Sequence, residues 1–155
     1  MKVAVLTSSR ADYGIYLPLL KALQADQFFD LRLIVFGTHL SSFHGYTIAQ
    51  IEKDGFTIDH KIEHILAADS REAVATSMAI AFTRFTAIWA QENNQYDLVF
   101  CLGDRYEMFT AVSAASPFRI PFAHIHGGET TLGAIDNEYR HCLTTFSTLH
   151  FTSTD

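Results

Sequence analysis

The chain of 155 residues is 48% hydrophobic and 18% charged, the length of one domain and too apolar to stay disordered. A chain this long buries roughly two thirds of its unfolded surface, enough for a core without disulfide or metal staples. Its 11 basic and 17 acidic residues leave a formal net charge of −6, the wrong sign for a non-specific nucleic-acid binder, and no apolar run approaches the roughly 18 residues that span a bilayer.

Short apolar runs alternate with longer helical patterns along the chain. Residues 2–7 (KVAVLT) read as a buried strand, and this opening stretch is too short for a secretory signal. A polar turn over 8–14 leads into a helix expected over 15–25, with Pro18 in its first turn and Tyr16, Leu19, Leu20 and Leu23 as its apolar stripe. A second strand is expected over 31–37, then a loop holding His39 and His44. A short helix over 48–54 follows, closed by Gly55, and then a third strand within 56–63. The longest helix is expected over 71–93, opened by an Asp69-x-x-Glu72 capping box. Its apolar face would be Val74, Met78, Ala81, Phe82, Phe85, Ile88 and Trp89, a stripe that reads as core and not as a cofactor lining. Residues 97–103 form a strand buried on both faces, 106–116 a helix, 121–126 a strand, 136–146 a helix and 149–152 the start of a last strand. This order predicts an α/β fold, a doubly wound parallel sheet covered by helices.

Cys101 and Cys142 form neither a disulfide framework nor a zinc motif, and a reducing, cytoplasmic setting fits such usage. In an open parallel sheet, ligands bind beyond the carboxyl ends of the strands. The segments expected there are Ser8–Asp12, Gly37–His39, Gly103–Arg105 and His126–Glu129. They bring Arg10, Arg105, Asp104, Glu129, His39 and His126 to one edge, as an acid/base site beside an anion site requires.

The first turn lacks the glycine signatures of nicotinamide-cofactor domains and of nucleoside triphosphatases. Its serine hydroxyls, Arg10, free backbone N–H groups and the helix dipole offer an anion site instead, unless Arg10 is an ordinary surface residue. Asp104 fits either an N-cap for the helix at 106 or a carboxylate at the cleft. His124 and His126 share one strand face. No further ligand pattern accompanies them, so a packed His124 and a cleft-facing His126 fit better than a metal pair. Gly127 and Gly128 either admit close ligand approach or make a turn. Asp136 can cap the last helix, with Arg140 one turn later on the same face.

The strings TSSRADYG (7–14), LGDRYE (102–107) and HIHGGETT-x-GAID (124–136), followed by Arg140-His141, resemble the hydrolysing UDP-N-acetylglucosamine 2-epimerases of sialic-acid biosynthesis. The similarity runs from the first strand to the last residue. It implies a Rossmann-like domain corresponding to the amino-terminal half of a two-domain glycosyltransferase-B-type fold, with a carboxy-terminal nucleotide-binding domain in the complete protein. On that resemblance the chain is a fragment.

The resemblance also implies a UDP-sugar substrate, no metal or redox cofactor, no nucleic-acid or membrane partner, and a homo-oligomer for the complete protein. The implied reaction converts UDP-N-acetylglucosamine and water to N-acetylmannosamine and UDP through a 2-acetamidoglucal. By the same resemblance Asp104 and Asp136 match essential acids, and Glu129 and His126 share a third acid's function. Arg10 and Arg140 lie near the diphosphate beside Gly127 and Gly128, with His141 behind them. Ser8 and Asn137 depart from the family pattern, where glycine and a second acid are common. Alternatives are a related UDP-2-acetamido sugar as substrate, such as a 2,4-diacetamido-trideoxyhexose, a non-hydrolysing 2-epimerase, or a non-catalytic nucleotide-binding module. The Ser8-Ser9-Arg10 turn argues against a phosphoacceptor receiver, which needs paired acids there.

Overall fold

Strands covered on both faces need apolar side chains at successive positions, and β1 (Lys2–Thr7) supplies them. Val3 and Val5 enter one core cluster, and Ala4 and Leu6 the other. The computed structural model describes residues 1–91, 95–130 and 135–153. Around β1 lie β2 (Asp30–Phe36), β3 (Ile58–Ile62), β4 (Leu98–Leu102), β5 (Phe122–Ile125) and β6 (Leu149–Phe151). They form one six-stranded sheet, ordered β3-β2-β1-β4-β5-β6, with every pairing parallel.

Helices α1 (Arg10–Ala25) and α2 (Ile48–Lys53) cover one face through Tyr13, Tyr16, Leu20, Leu23, Ile48 and Ile51. Helices α3 (Arg71–Trp89), α4 (Tyr106–Ala115) and α5 (Asp136–Phe146) cover the other. The strand order grows outward from β1 in both directions. With crossovers of one hand, that reversal moves the later helices to the opposite face. The expected doubly wound, Rossmann-like α/β fold is therefore present, and its crevice at the point of reversal lies between β1 and β4.

Several local expectations are corrected. Helix α1 begins at Arg10, so Pro18 sits in its interior. Pro18 and Gly14 both face solvent, where water can reach the Gly14 carbonyl that the proline leaves unbonded. The earlier start comes from a capping box: Ser9 caps the helix, and the Asp12 carboxylate accepts from the Ser8 and Ser9 amides and from both hydroxyls at 2.6–3.1 Å.

Ser70, not Asp69, caps α3, accepting from the Ala73 amide. The buried face of α3 is Ala73, Ser77, Ala81, Phe85, Ile88 and Trp89, so Val74 and Met78 lie at its margin and Phe82 is exposed. The aromatic stripe is core. Phe36 packs edge-on against Phe85, Phe85 stacks on Trp89, and the Trp89 indole donates to the Ala111 carbonyl at 3.0 Å. Asn93, the expected end of α3, lies outside the described residues, as do residues 131–134 of the loop before α5.

Asp12 is almost fully buried and gathers four donors at one turn. Asp12→Ala is expected to lower unfolding stability by about 3 kcal/mol, read from the urea midpoint; a loss under about 0.5 kcal/mol would show that water replaces the carboxylate.

His39 and His64 are buried, and burial pushes both imidazoles down to about 4. The unfolded chain then binds more protons below its ordinary histidine range. Stability is flat above about pH 6.5 and falls as the pH drops toward 4, by up to about 1.4 kcal/mol per pH unit for each histidine. Urea melts between pH 7 and 5 test this, and a flat midpoint across that window would contradict it.

Candidate functional site

At the carboxyl end of β1 the chain turns into α1 through Ser8 and Ser9. Both hydroxyls and both amides of this turn are committed to Asp12. The turn is thus not a ready cradle for an anion, contrary to the expectation from its serines. Arg10, the first residue of α1, is exposed beside it. His39, expected at the cleft, is instead fully buried. Its ring bridges Thr7 Oγ1 at 2.9 Å and Thr47 Oγ1 at 2.7 Å, tying β1 to the segment before α2.

Across the crevice, β4 ends at Gly103, whose φ of +76° is a left-handed conformation that favours glycine. This bend turns Asp104 out of the strand direction. Asp104 does not cap α4: Arg105 is the N-cap residue, with no side-chain capping bond. The Asp104 carboxylate instead accepts from Arg140 Nη2 on α5 and is a quarter exposed. Arg105 folds back onto Glu107, whose side chain is fully buried, with Nε and Nη2 contacts of 3.2 and 2.6 Å. Burial alone would weaken the Arg105 charge, but the Glu107 carboxylate more than offsets this and holds the guanidinium above its ordinary value.

Arg140 itself is 6% exposed, and its Nε and Nη1 have no hydrogen-bond partner among the described residues. The i,i+4 pairing of Asp136 with Arg140 expected from helix spacing is therefore replaced by a contact 36 residues apart in sequence. Asp136 is the first residue of α5 and is exposed, where a negative charge suits the helix amino end. His141 follows Arg140 on the exposed side of α5.

At the end of β5 the two histidines divide as the sequence suggests. His124 is fully buried. Its Nε2–H donates to the Gly103 carbonyl at 2.7 Å, and its Nδ1 accepts from the Thr144 hydroxyl at 3.1 Å. Burial lowers its pKa, so the ring is neutral at pH 7. His126 is half-buried with φ of +61°, uncommon for a residue with a side chain, and its amide donates to the Phe151 carbonyl.

Gly127 is buried. A Cβ there would stand 2.9 Å from His124 Nδ1 and 3.1 Å from Thr144 Oγ1, so its smallness serves packing. Gly128 is exposed, with φ of +82°. Glu129 is exposed and accepts from the Ser153 hydroxyl just after β6.

Arg10, Asp104, Arg140, His126, Gly127, Gly128, Glu129 and Asp136 thus all lie on segments at the carboxyl edge of β1, β4, β5 and β6 or on the helix that packs there. Sequence reasoning missed Asp12, Glu107 and Thr144. Only Asp12 carried a usable signal, the Ser9-x-x-Asp12 capping spacing. Among the described residues no group of three or more His, Cys, Asp or Glu is gathered as a metal site, and no helix is long and apolar enough to cross a membrane.

A family model described as UDP-N-acetylglucosamine 2-epimerase matches residues 21–155. The chain is 41% identical to the polysialic acid biosynthesis protein P7 of Escherichia coli over 154 residues, 99% of this chain and 39% of that protein. It is 40% identical to the GDP/UDP-N,N'-diacetylbacillosamine 2-epimerase (hydrolyzing) of Campylobacter jejuni over 152 residues, 98% of this chain and 39% of that protein. Its fold matches the crystal structure of UDP-GlcNAc 2-epimerase from Methanocaldococcus jannaschii in complex with UDP-GlcNAc and UDP. The TM-score is 0.82 at 18% identity, over 99% of this chain and 41% of that one. The chain therefore spans about 39% of the length of these curated relatives. Its motifs, its sheet order and the extent of the match carry one conclusion: the chain belongs to the UDP-N-acetylglucosamine 2-epimerase family.

Proposed function

We propose that the protein is a hydrolysing 2-epimerase that converts UDP-N-acetylglucosamine and water to N-acetylmannosamine and UDP, and that this chain carries its acid/base residues. The observation that carries the reading is the largely buried Asp104 carboxylate against a buried Arg140 whose Nε and Nη1 have no partner among the described residues, at the crevice edge of a Rossmann-like sheet. Kinship to a polysialic acid biosynthesis protein and to a hydrolysing 2-epimerase supports it.

In the proposed reaction the C1–O bond to UDP breaks and its electron pair leaves with the diphosphate. As C1 becomes electron-poor, the C2 proton becomes acidic and a carboxylate removes it, leaving a 2-acetamidoglucal. Water then adds at C1 while C2 takes a proton on its opposite face, giving N-acetylmannosamine. Asp104 and Asp136 are assigned to proton transfer, with Glu129 and His126 sharing a third position. Arg10 and Arg140 are assigned to the charge gathering on the departing diphosphate, as preorganised donors in a partly desolvated site. The exposed Gly128 lets the β5 turn pass close to the sugar, with Gly127 packed beneath it and His141 on the exposed side of α5. A second nucleotide-binding domain facing this edge, in a homo-oligomeric protein, completes the proposal.

Kinship to the Campylobacter enzyme favours a second substrate, a UDP-2,4-diacetamido sugar. The C2 chemistry is common to both, so a side-by-side assay in deuterium oxide separates the readings. The full-length protein is expected to release UDP and free sugar with one solvent deuterium at C2, faster from UDP-N-acetylglucosamine. A preference for UDP-N,N'-diacetylbacillosamine would transfer the assignment to the second substrate, and retention of the original C2 hydrogen would remove the elimination route.

Asp104→Asn keeps an acceptor for Arg140 while removing the proton-transfer group. It is expected to lower kcat/KM by about a thousandfold while the circular dichroism spectrum stays that of the folded parent, at a melting temperature lowered by the loss of the ion pair. Near-normal turnover would reduce Asp104 to an ion-pair partner.

A further inference from the structure

The two groups at the centre of the site belong to different elements. Asp104 follows the end of β4, and Arg140 sits on α5. An ion pair alone does not fix both backbones, because each side chain can follow the other. One buried residue touches both elements. His124, on β5 between them, donates from Nε2 to the carbonyl of Gly103, the residue directly before Asp104. Its Nδ1 accepts from the hydroxyl of Thr144, one turn beyond Arg140 on α5.

The Gly103 carbonyl needs such a donor. The left-handed bend takes that residue out of regular strand geometry, and its N–H already goes to Ile125. Gly127 guards the arrangement from below, since any Cβ there would press on both the imidazole and the Thr144 hydroxyl.

We infer that His124 is a positioning residue: an imidazole strut, clamped between the Gly103 carbonyl and Thr144, that sets the distance and direction of Asp104 relative to Arg140. This rests on the catalytic reading of Asp104 given above and adds to it a residue that touches neither substrate nor reacting atom. The ring does so without competing for the Asp104 carboxylate, since both of its nitrogens are engaged elsewhere. Glutamine reproduces the strut's chemistry, an N–H donor and a carbonyl acceptor on one side chain. Leucine reproduces only its bulk.

Kinetics of the full-length protein with UDP-N-acetylglucosamine test the strut. His124→Leu is expected to lower kcat by about a hundredfold while KM stays within about threefold, as misplacement of a reacting group does. His124→Gln is expected to recover kcat to within about tenfold of the parent. Thr144→Val, which leaves the Gly103 bond in place, is expected to lose about tenfold in kcat at unchanged melting temperature, and it carries the test if the leucine variant does not fold. A kcat within twofold of the parent in Thr144→Val, or equal losses in the leucine and glutamine variants, would overturn the inference.

A second readout is independent of turnover. Solvent exchange of the Arg140 Nε–H, followed by nitrogen-15 NMR, is expected to accelerate in Thr144→Val and in His124→Leu and to stay near the parent rate in His124→Gln. If the parent protein turns over no UDP-sugar, the proposed reaction fails while this exchange still decides the strut. Unchanged exchange in Thr144→Val would sink it.

Discussion

A buried guanidinium has to be surrounded by acceptors, and among the described residues Arg140 has one carboxylate where its geometry calls for more. Desolvating a charge costs several kcal/mol unless it is paired and hydrogen-bonded, so the Asp104 contact is a condition for packing α5 against the sheet edge in this form. The donors left over, Nε and Nη1, are the physical reason to look for an anion there. A site with surplus buried N–H groups gains most from a ligand that brings oxygens. The rest of the edge is arranged around this pair: Gly103 bends β4 to present Asp104, His124 ties that bend to α5, and Gly127 leaves room for the tie.

The fold delivers these groups through topology. Sheet growth reverses between β1 and β4, so the loops after those strands diverge to opposite faces and leave a crevice. Arg10 stands on one side of it, and Asp104 and the β5 turn on the other. The β1 turn spends its serines and amides on Asp12, which leaves a rigid, self-satisfied wall. Facing it, the β4–β5–α5 side keeps groups that are only partly satisfied. The crevice thus has one wall whose polar groups are satisfied and, among the described residues, one whose Arg140 donors are not.

The element order and sheet class were legible because they depend on period and length, and the continuous runs in β1, β2 and β4 allow little else. Helix starts were less legible. Where Ser9 and Asp12 close a box, capping chemistry moved α1 five residues earlier than Pro18 suggested. At α3 the cap is Ser70, and the buried face runs through Ala73 and Ser77 instead of Val74 and Met78, because a count of large apolar residues passes over small and hydroxyl side chains. The rim was legible from the strand-end rule. Its pairings were not, because helix spacing sees only local partners. Asp136 looked like the partner of Arg140, while the true partner lies on another element. His39 looked like a rim residue because it follows a strand, yet two threonines hold it inside.

The three carboxylates on this edge meet three different surroundings. Asp104 is half-buried against a guanidinium, Asp136 stands in solvent at a helix amino end, and Glu129 rests on a hydroxyl at the edge of the sheet. On the proposed reaction one group must take a proton from C2 and another must return one to the opposite face. Identical groups in identical settings would be poor at both tasks, whereas carboxylates with different neighbours can hold different protonation states at one pH. Asp104 is the one whose position is fixed from behind, through Gly103 and His124, and whose charge is fixed from the side, by Arg140. Asp136 and Glu129 have no such backing among the described residues. A group that abstracts a proton from carbon needs accurate placement more than one that exchanges protons with water does. On the proposed reaction the strut therefore matters most for the step at C2, the step for which a carboxylate held like Asp104 is suited.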